Sequence, residues 1–205
     1  MTDYTWRPDG LPIRVQGVAV DPIKAFKLFV MPGIGTEGWI EDSSKVTDTG
    51  MSKREWIGLI VHAIALMDLT GDELRVAKML DNDDGGLVRG ENEAVYVEQT
   101  LATHRDKKHK SLGDAVAARV AGKSANGESY AANRHLIVFC NMDGNLEEDK
   151  LAAIVATGRF NIVTIFGFAK DRHYLTFIFD RDKSDGPIHR AAISEAKLIE
   201  AASKL

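Results

Sequence analysis

The sequence of 205 residues is 44% apolar and 27% charged, which is the composition of a globular domain long enough to bury a core. Its net charge of −4 excludes a protein covered all over in phosphate-binding basic residues, although it leaves room for a local basic patch. The single cysteine, Cys140, cannot form an internal disulfide, and no apolar run approaches the about 20 residues that span a bilayer. Together with the polar N-terminus MTDYTWRPDG, these features predict a cytoplasmic protein.

Residues 1–50 predict an N-terminal extension that is irregular or contains β-structure. Residues 13–20 (IRVQGVAV) indicate a strand whose alternation breaks at Gly17. Asp21-Pro22 fits either a helix N-cap with proline at N1 or a turn between two strands, and the KAFKLFVM that follows fits either period. Residues 33–38 carry the glycine spacing of a dinucleotide fingerprint. The loop-like sequence after them lacks the required helix, so we predict no nucleotide site there.

Two helices are predicted next, each from a capping box. Ser52 with Glu55 opens a helix whose apolar residues cover nearly all of its faces, which predicts burial on more than one side. Thr70 with Glu73 repeats the pattern and predicts a short second helix to about Leu80.

A hairpin and a third helix follow. LVR (87–89) and EAVYVEQT (93–100) read as strands around a turn at residues 90–92. Ser111 with Asp114 predicts a helix N-terminus, and Gly122 is placed to end that helix.

The last third of the chain predicts a βαβ unit. HLIVFC is a continuous apolar run typical of a central strand, and Asn145 with Glu148 predicts a helix that ends at Gly158. FNIVTIFGF and YLTFIFD are further strands, and residues 191–205 predict an amphipathic helix. We therefore predict an α/β fold, a mixed β-sheet flanked by helices on both faces, with an extension (1–50) packed on a core domain (51–205).

The hairpin places two carboxylates opposite one another. If the turn is centred on Glu91, the numbers of facing residues sum to 182, so Glu98 faces Asp84 with Cβ atoms about 5 Å apart. Two carboxylates that close repel each other unless a proton or a cation lies between them. Mg²⁺ prefers carboxylate oxygens and keeps several waters, so we predict Mg²⁺ bound by Asp84 and Glu98.

A helix, a hairpin with an acid on each arm, a helix and a buried strand (residues 52–170) resemble the restriction-endonuclease-like (PD-(D/E)xK) superfamily. The resemblance implies a metal-dependent nuclease acting on phosphodiesters, with Asp84 and Glu98 as metal ligands and Glu55 as a helix acid. The family's acid-x-lysine position falls on Thr100 here. Some members take this lysine from the following helix, which implies Lys123 as its replacement in this chain.

Two further interpretations stay open at the sequence level. The basic run 104–110 supplies Lys107 and Lys108 as backbone contacts to nucleic acid, or is a polar connection. The acidic residues 81–84 either form the metal site or are a solvated turn. Because Thr100 replaces the lysine, the alternative function is an inactive relative, or a non-catalytic domain that binds a protein partner or self-associates.

Overall fold

The structure, a computed structural model, describes residues 2–4, 13–34, 46, 49–80, 85–91, 93–103, 111–132, 134–169, 171–183 and 185–205. It is α/β with a mixed sheet, as the sequence predicts. The chain divides into two compact units, residues 1–97 with 193–205 and residues 98–192. No helix among the described residues is long and apolar enough to cross a membrane.

The first unit contains an antiparallel meander in chain order. Its strands are β1 (Thr2–Tyr4), β2 (Ile13–Val20), β3 (Leu74–Met79), β4 (Gly85–Arg89) and the first part of β5 (Glu93–Thr103). The predicted strand 13–20 is confirmed, including its break. Gly17 has a left-handed φ of +78°, and the register of β2 with β3 shifts between Gln16 and Val20.

Asp21 and Pro22 begin a helix. Of the two alternatives left open by the sequence, the helix N-cap is therefore correct and the turn between two strands is wrong. Asp21 Oδ1 accepts hydrogen bonds from Ile23 N (2.8 Å) and Lys24 N (3.0 Å), and Pro22 occupies the first helical turn. Helix α1 (Pro22–Ala25) continues as a π-helical segment, Phe26–Val30, and a 3₁₀ turn, Met31–Gly33.

Helix α2 (Lys53–Thr70) begins at the predicted capping box. Glu55 N donates to Ser52 Oγ (3.3 Å), and Ser52 N donates to Glu55 Oε2 (2.6 Å). Residues 56–63 are all buried, which confirms burial on more than one side.

The prediction of a second helix from Thr70 to Leu80 is wrong. Thr70 is the last residue of α2, and Gly71 ends that helix with φ +75° and an N–H bond to Met67 O (2.9 Å). Residues 74–79 form β3, which pairs with β2 on one side and β4 on the other. Two ladders of backbone hydrogen bonds outweigh a local capping signal.

The second unit contains the rest of β5, then β6 (Arg134–Asn141), β7 (Ile162–Phe168), β8 (His173–Asp180) and most of β9 (His189–Ser194). Its helices are α3 (Leu112–Ser124), α4 (Glu128–Ala131) and α5 (Glu148–Thr157). β6 and β7 are parallel across α5, which confirms the βαβ unit, and β8 returns antiparallel to β7. Buried side chains of α3 and α5 share one hydrophobic core with β6 and β7.

Three predicted helix boundaries are wrong. Helix α3 runs past Gly122 to Ser124, because nothing at Gly122 stops it: the glycine is exposed, and a Cβ there would meet no atom within 4 Å. The residue that caps α5 is Glu147, not Asn145, and its side chain makes no capping bond. The last helix, α6 (Glu195–Ser203), begins only after Ser194, whose Oγ accepts from Lys197 N (3.4 Å), because the preceding residues form β9.

Candidate functional site

The hairpin has the register that the sequence predicts. β4 and β5 pair from Arg89–Glu93 to Gly85–Val97, and every pair sums to 182 around a turn in which Gly90 has φ +59°. Asp84 lies outside the described residues, so its position opposite Glu98 stays a prediction.

Gly86 keeps the first arm of the hairpin in the sheet. It pairs with Ala77 on one side and Tyr96 on the other, and a Cβ there would collide with Met79 Cε and lie 2.8 Å from Val95 O. Glycine lets this arm run as a regular strand, because the Met79 side chain of β3 and the Val95 carbonyl of β5 leave no room for a Cβ.

Glu98 lies on β5 and is almost completely buried, with 6% of its surface exposed. Alternation along the strand puts Glu98, Thr100 and Ala102 on the same face. Ala102 packs in the core that α3 covers, so this face of β5 looks toward α3.

Lys123 is the residue that α3 brings to Glu98. Its Nζ lies 2.5 Å from Glu98 Oε1, with 31% of the lysine side chain exposed and 7% of the glutamate side chain. Lys123 follows the buried Val120 by three residues, which places it on the core-facing side of the helix. The structure thus joins two of the predicted site residues, 25 positions apart in the chain.

Tyr130 on α4 binds the other oxygen of the same carboxylate: its hydroxyl donates to Glu98 Oε2. The ring is held from two sides. Arg134 Cζ lies 4.3 Å from the ring centroid, and Phe160 makes an edge contact at 6.2 Å and 86°. Arg134 Nη1 also donates to Tyr130 O (2.7 Å), which fixes the guanidinium against the ring.

The cluster of Glu98, Lys123, Tyr130 and Arg134 therefore joins one buried carboxylate to a lysine and a tyrosine, with Arg134 stacked on the tyrosine ring. The partly exposed lysine can donate to a phosphate oxygen. Sequence reasoning missed Tyr130 and Arg134. The 32-residue separation of Tyr130 from Glu98 gives no periodic signal, and α4 is only four residues long.

The remaining predicted residues have different outcomes. Glu55 caps α2 through Ser52 N, a structural role, and its catalytic role stays a prediction. Lys107 and Lys108 lie outside the described residues, as Asp84 does.

The described residues supply only part of a magnesium site. Glu98 accepts one hydrogen bond on each oxygen, which leaves further lone pairs on the carboxylate. No group of three or more His, Cys, Asp or Glu side chains converges on a metal position in the part of the chain that the structure describes. A divalent cation at Glu98 would need Asp84 as well, and would compete with the Lys123 ammonium for Oε1.

Neither protein-family models, nor curated proteins, nor solved structures match this chain. The candidate site therefore depends on its own geometry.

Proposed function

We propose that this protein is a metal-dependent nuclease-like domain that acts on nucleic-acid phosphodiesters. The observation that carries the proposal is the contact of Lys123 Nζ with Glu98 Oε1 at 2.5 Å. The sequence departs from the resembling superfamily at Thr100, and in this proposal Lys123 of the following helix takes the place of the missing lysine. The element order α2, β3, β4, β5, α3, β6 agrees with the same resemblance.

Each residue of the cluster has a role in this proposal. Glu98, with Asp84 as the second ligand, would hold Mg²⁺, which as a Lewis acid activates water and polarises the phosphate. Lys123 donates hydrogen bonds to a non-bridging phosphate oxygen and compensates its charge. Tyr130 orients the Glu98 carboxylate, and Lys107 and Lys108 contact the sugar-phosphate backbone. A reducing, cytoplasmic setting is part of the proposal and is supported by the single cysteine.

One observation favours the non-catalytic alternative. Both oxygens of Glu98 are already hydrogen-bonded by side chains of this chain, which is also what an ion pair that only stabilises the fold would show. In that case the protein works by binding a protein partner or by self-association.

The test is cleavage of supercoiled plasmid, linear duplex DNA, single-stranded DNA and RNA with Mg²⁺ or Mn²⁺. Variants Glu98→Gln, Lys123→Met and Asp84→Asn should each lose about 100-fold or more in rate. The matched controls are Glu200→Gln and Lys204→Met, which alter an exposed Lys–Glu pair on α6. They should leave the rate unchanged.

Metal binding is measured separately by thermal unfolding. A cation that binds only the folded state at a hundredfold excess over its Kd stabilises it by about 2.7 kcal/mol, and Glu98→Gln should abolish the rise in Tm. A wild-type protein with no cleavage of any substrate and no metal-dependent rise would refute the proposal and leave the ion pair as structural.

A further inference from the structure

Glu98 carries its carboxylate where water hardly reaches. Only 7% of its side chain is exposed, and its two oxygens accept hydrogen bonds from Lys123 Nζ and from the Tyr130 hydroxyl. A tyrosine that donates its hydroxyl proton is neutral, so the contact with Lys123 is the one that compensates the negative charge. A buried carboxylate that loses its cation is strongly destabilised unless another cation takes its place. Oxygen Oε1 is therefore a position where one cation can replace another.

A divalent cation and the Lys123 ammonium exclude each other at this carboxylate. The ammonium nitrogen lies 2.5 Å from Glu98 Oε1. Mg²⁺ binds carboxylate oxygens at about 2.0–2.1 Å, so an ion on the other lone pair of Oε1 would lie only about 4 Å from Nζ. Charges of the same sign at that separation repel strongly where little water screens them. Binding of a metal at Glu98 therefore requires Lys123 to leave.

Lys123 is the member of the pair that can move. Nearly a third of its side chain is exposed, and it lies one residue before Ser124, the last residue of α3. The preceding Ala121 and Gly122 are exposed as well. A lysine stem is flexible, whereas Glu98 is held on a strand and enclosed. The ammonium can thus turn outward to an anion while the carboxylate stays in position.

We propose that the Glu98–Lys123 contact is an autoinhibitory ion pair: Lys123 blocks the metal position in the free protein, and a phosphodiester that draws the ammonium away opens it. This inference rests on the proposed function and adds the regulation of that site. Coupling between two ligands is reciprocal, so a metal at Glu98 also releases Lys123 for the phosphate. Metal and phosphodiester therefore bind well together, and each binds weakly alone.

The test measures the affinity for Mn²⁺, followed by the electron paramagnetic resonance signal of the free ion. Dimethyl phosphate serves as a phosphodiester without base or sugar, and sodium chloride keeps the ionic strength constant. Titrating dimethyl phosphate until the Mn²⁺ affinity stops changing should tighten Mn²⁺ binding to wild type about tenfold.

Two variants remove the blocking charge. Lys123→Met should bind Mn²⁺ about tenfold more tightly than wild type without any phosphodiester, and dimethyl phosphate should add nothing further. Lys123→Gln should behave in the same way. Its amide can still donate a hydrogen bond to Glu98, so it covers the case in which Lys123→Met does not fold.

Two further variants are the controls. Tyr130→Phe removes a neutral donor from the other oxygen of the same carboxylate and should not reproduce the gain in Mn²⁺ affinity. Lys204→Met removes a lysine from an exposed Lys–Glu pair and should leave the Mn²⁺ affinity unchanged.

The outcomes separate this inference from the proposed function. The ion pair is not autoinhibitory if the Lys123 variants bind Mn²⁺ no more tightly than wild type, or if dimethyl phosphate tightens Mn²⁺ binding to them as it does to wild type. In either case, Mn²⁺ binding by wild type that Glu98→Gln abolishes leaves the proposed function standing. If neither wild type nor the Lys123 variants bind Mn²⁺, the inference and the proposed function are both wrong.

Discussion

Lys123 Nζ and Glu98 Oε1 lie 2.5 Å apart, although one residue is on helix α3 and the other on strand β5. The carboxylate is almost inaccessible to water, whereas nearly a third of the lysine side chain is exposed. A buried anion is thus compensated by a cation that an incoming ligand can reach. An exposed Lys–Glu pair would have neither property.

The first prediction concerns how much this pair contributes to the free energy of unfolding of the protein. Lys123→Met leaves the Glu98 carboxylate with the Tyr130 hydroxyl as its one remaining side-chain donor among the described residues. We therefore expect a loss of about 1–3 kcal/mol, reduced from the fully buried case by the exposure of Lys123. The double variant Glu98→Gln/Lys123→Met should recover much of that loss, since no uncompensated charge remains. Urea unfolding of both single variants and the double variant gives the coupling energy.

The exposed pair Glu200–Lys204 on α6 is the control for this cycle. Its coupling should be below about 0.5 kcal/mol. If the effects of Glu98→Gln and Lys123→Met on stability simply add, the two side chains do not interact and the prediction is wrong.

The second prediction separates the hydroxyl of Tyr130 from its ring. Tyr130→Phe removes the donor to Glu98 but keeps the contacts of the ring with Arg134 and Phe160. We expect a loss of about 1–2 kcal/mol in the free energy of unfolding, because the acceptor is a buried carboxylate. Tyr130→Leu, which also removes both ring contacts, should cost more. Equal stability of wild type and Tyr130→Phe in urea would show that the hydroxyl bond contributes nothing.

The third prediction compares two glycines. Gly86→Ala would push a Cβ into Met79 Cε and Val95 O between two paired strands, so we expect a loss of about 2 kcal/mol or more. Gly122→Ala meets open space inside α3 and should stabilise the protein by about 0.5–1 kcal/mol. Thermal unfolding of both variants measures this difference. A destabilising Gly122→Ala would mean that the helix does not continue past residue 122.

The sequence predicts the fold well where local and long-range signals agree. The capping box of Ser52, the hairpin register and the βαβ unit are all as expected. The largest error comes from a local signal that long-range pairing overrides. Thr70 and Glu73 resemble a helix start, yet residues 74–79 complete a sheet between β2 and β4.

Only two of the four residues in the cluster, Glu98 and Lys123, could be predicted from the sequence. The register of the hairpin singles out Glu98, and the resemblance, which puts its lysine at Thr100 or on the following helix, is how Lys123 could be named. Tyr130 could not be, because it comes from a four-residue helix with no period. Its position depends on Phe160 and Arg134, which only the folded chain brings to its ring.

The last prediction is the pH dependence of stability at the start of β6. Burial lowers the pKa of His135 from its ordinary value of 6.5 to about 4. Above pH 6.5 the imidazole is neutral in both the folded and the unfolded state and contributes no pH dependence. As the pH falls from 6.5 toward 4 only the unfolded state takes up the proton, so the free energy of unfolding decreases over that window. The residue keeps some solvent exposure, so we expect a modest cost, about 1 kcal/mol at pH 5.

Urea unfolding of wild type, His135→Gln and the control His173→Gln at pH 7.5 and pH 5.0 checks this prediction. His173 lies on β8 and is not enclosed by the core, so the same substitution there is the control for loss of an imidazole. Between the two pH values His135→Gln should lose about 1 kcal/mol less than wild type, a difference that His173→Gln should not reproduce. The carboxylates titrate alike in all three proteins, so the difference isolates the imidazole. If wild type and His135→Gln lose the same stability, the ring of His135 is protonated in the folded protein at pH 5 and is not buried as a neutral group.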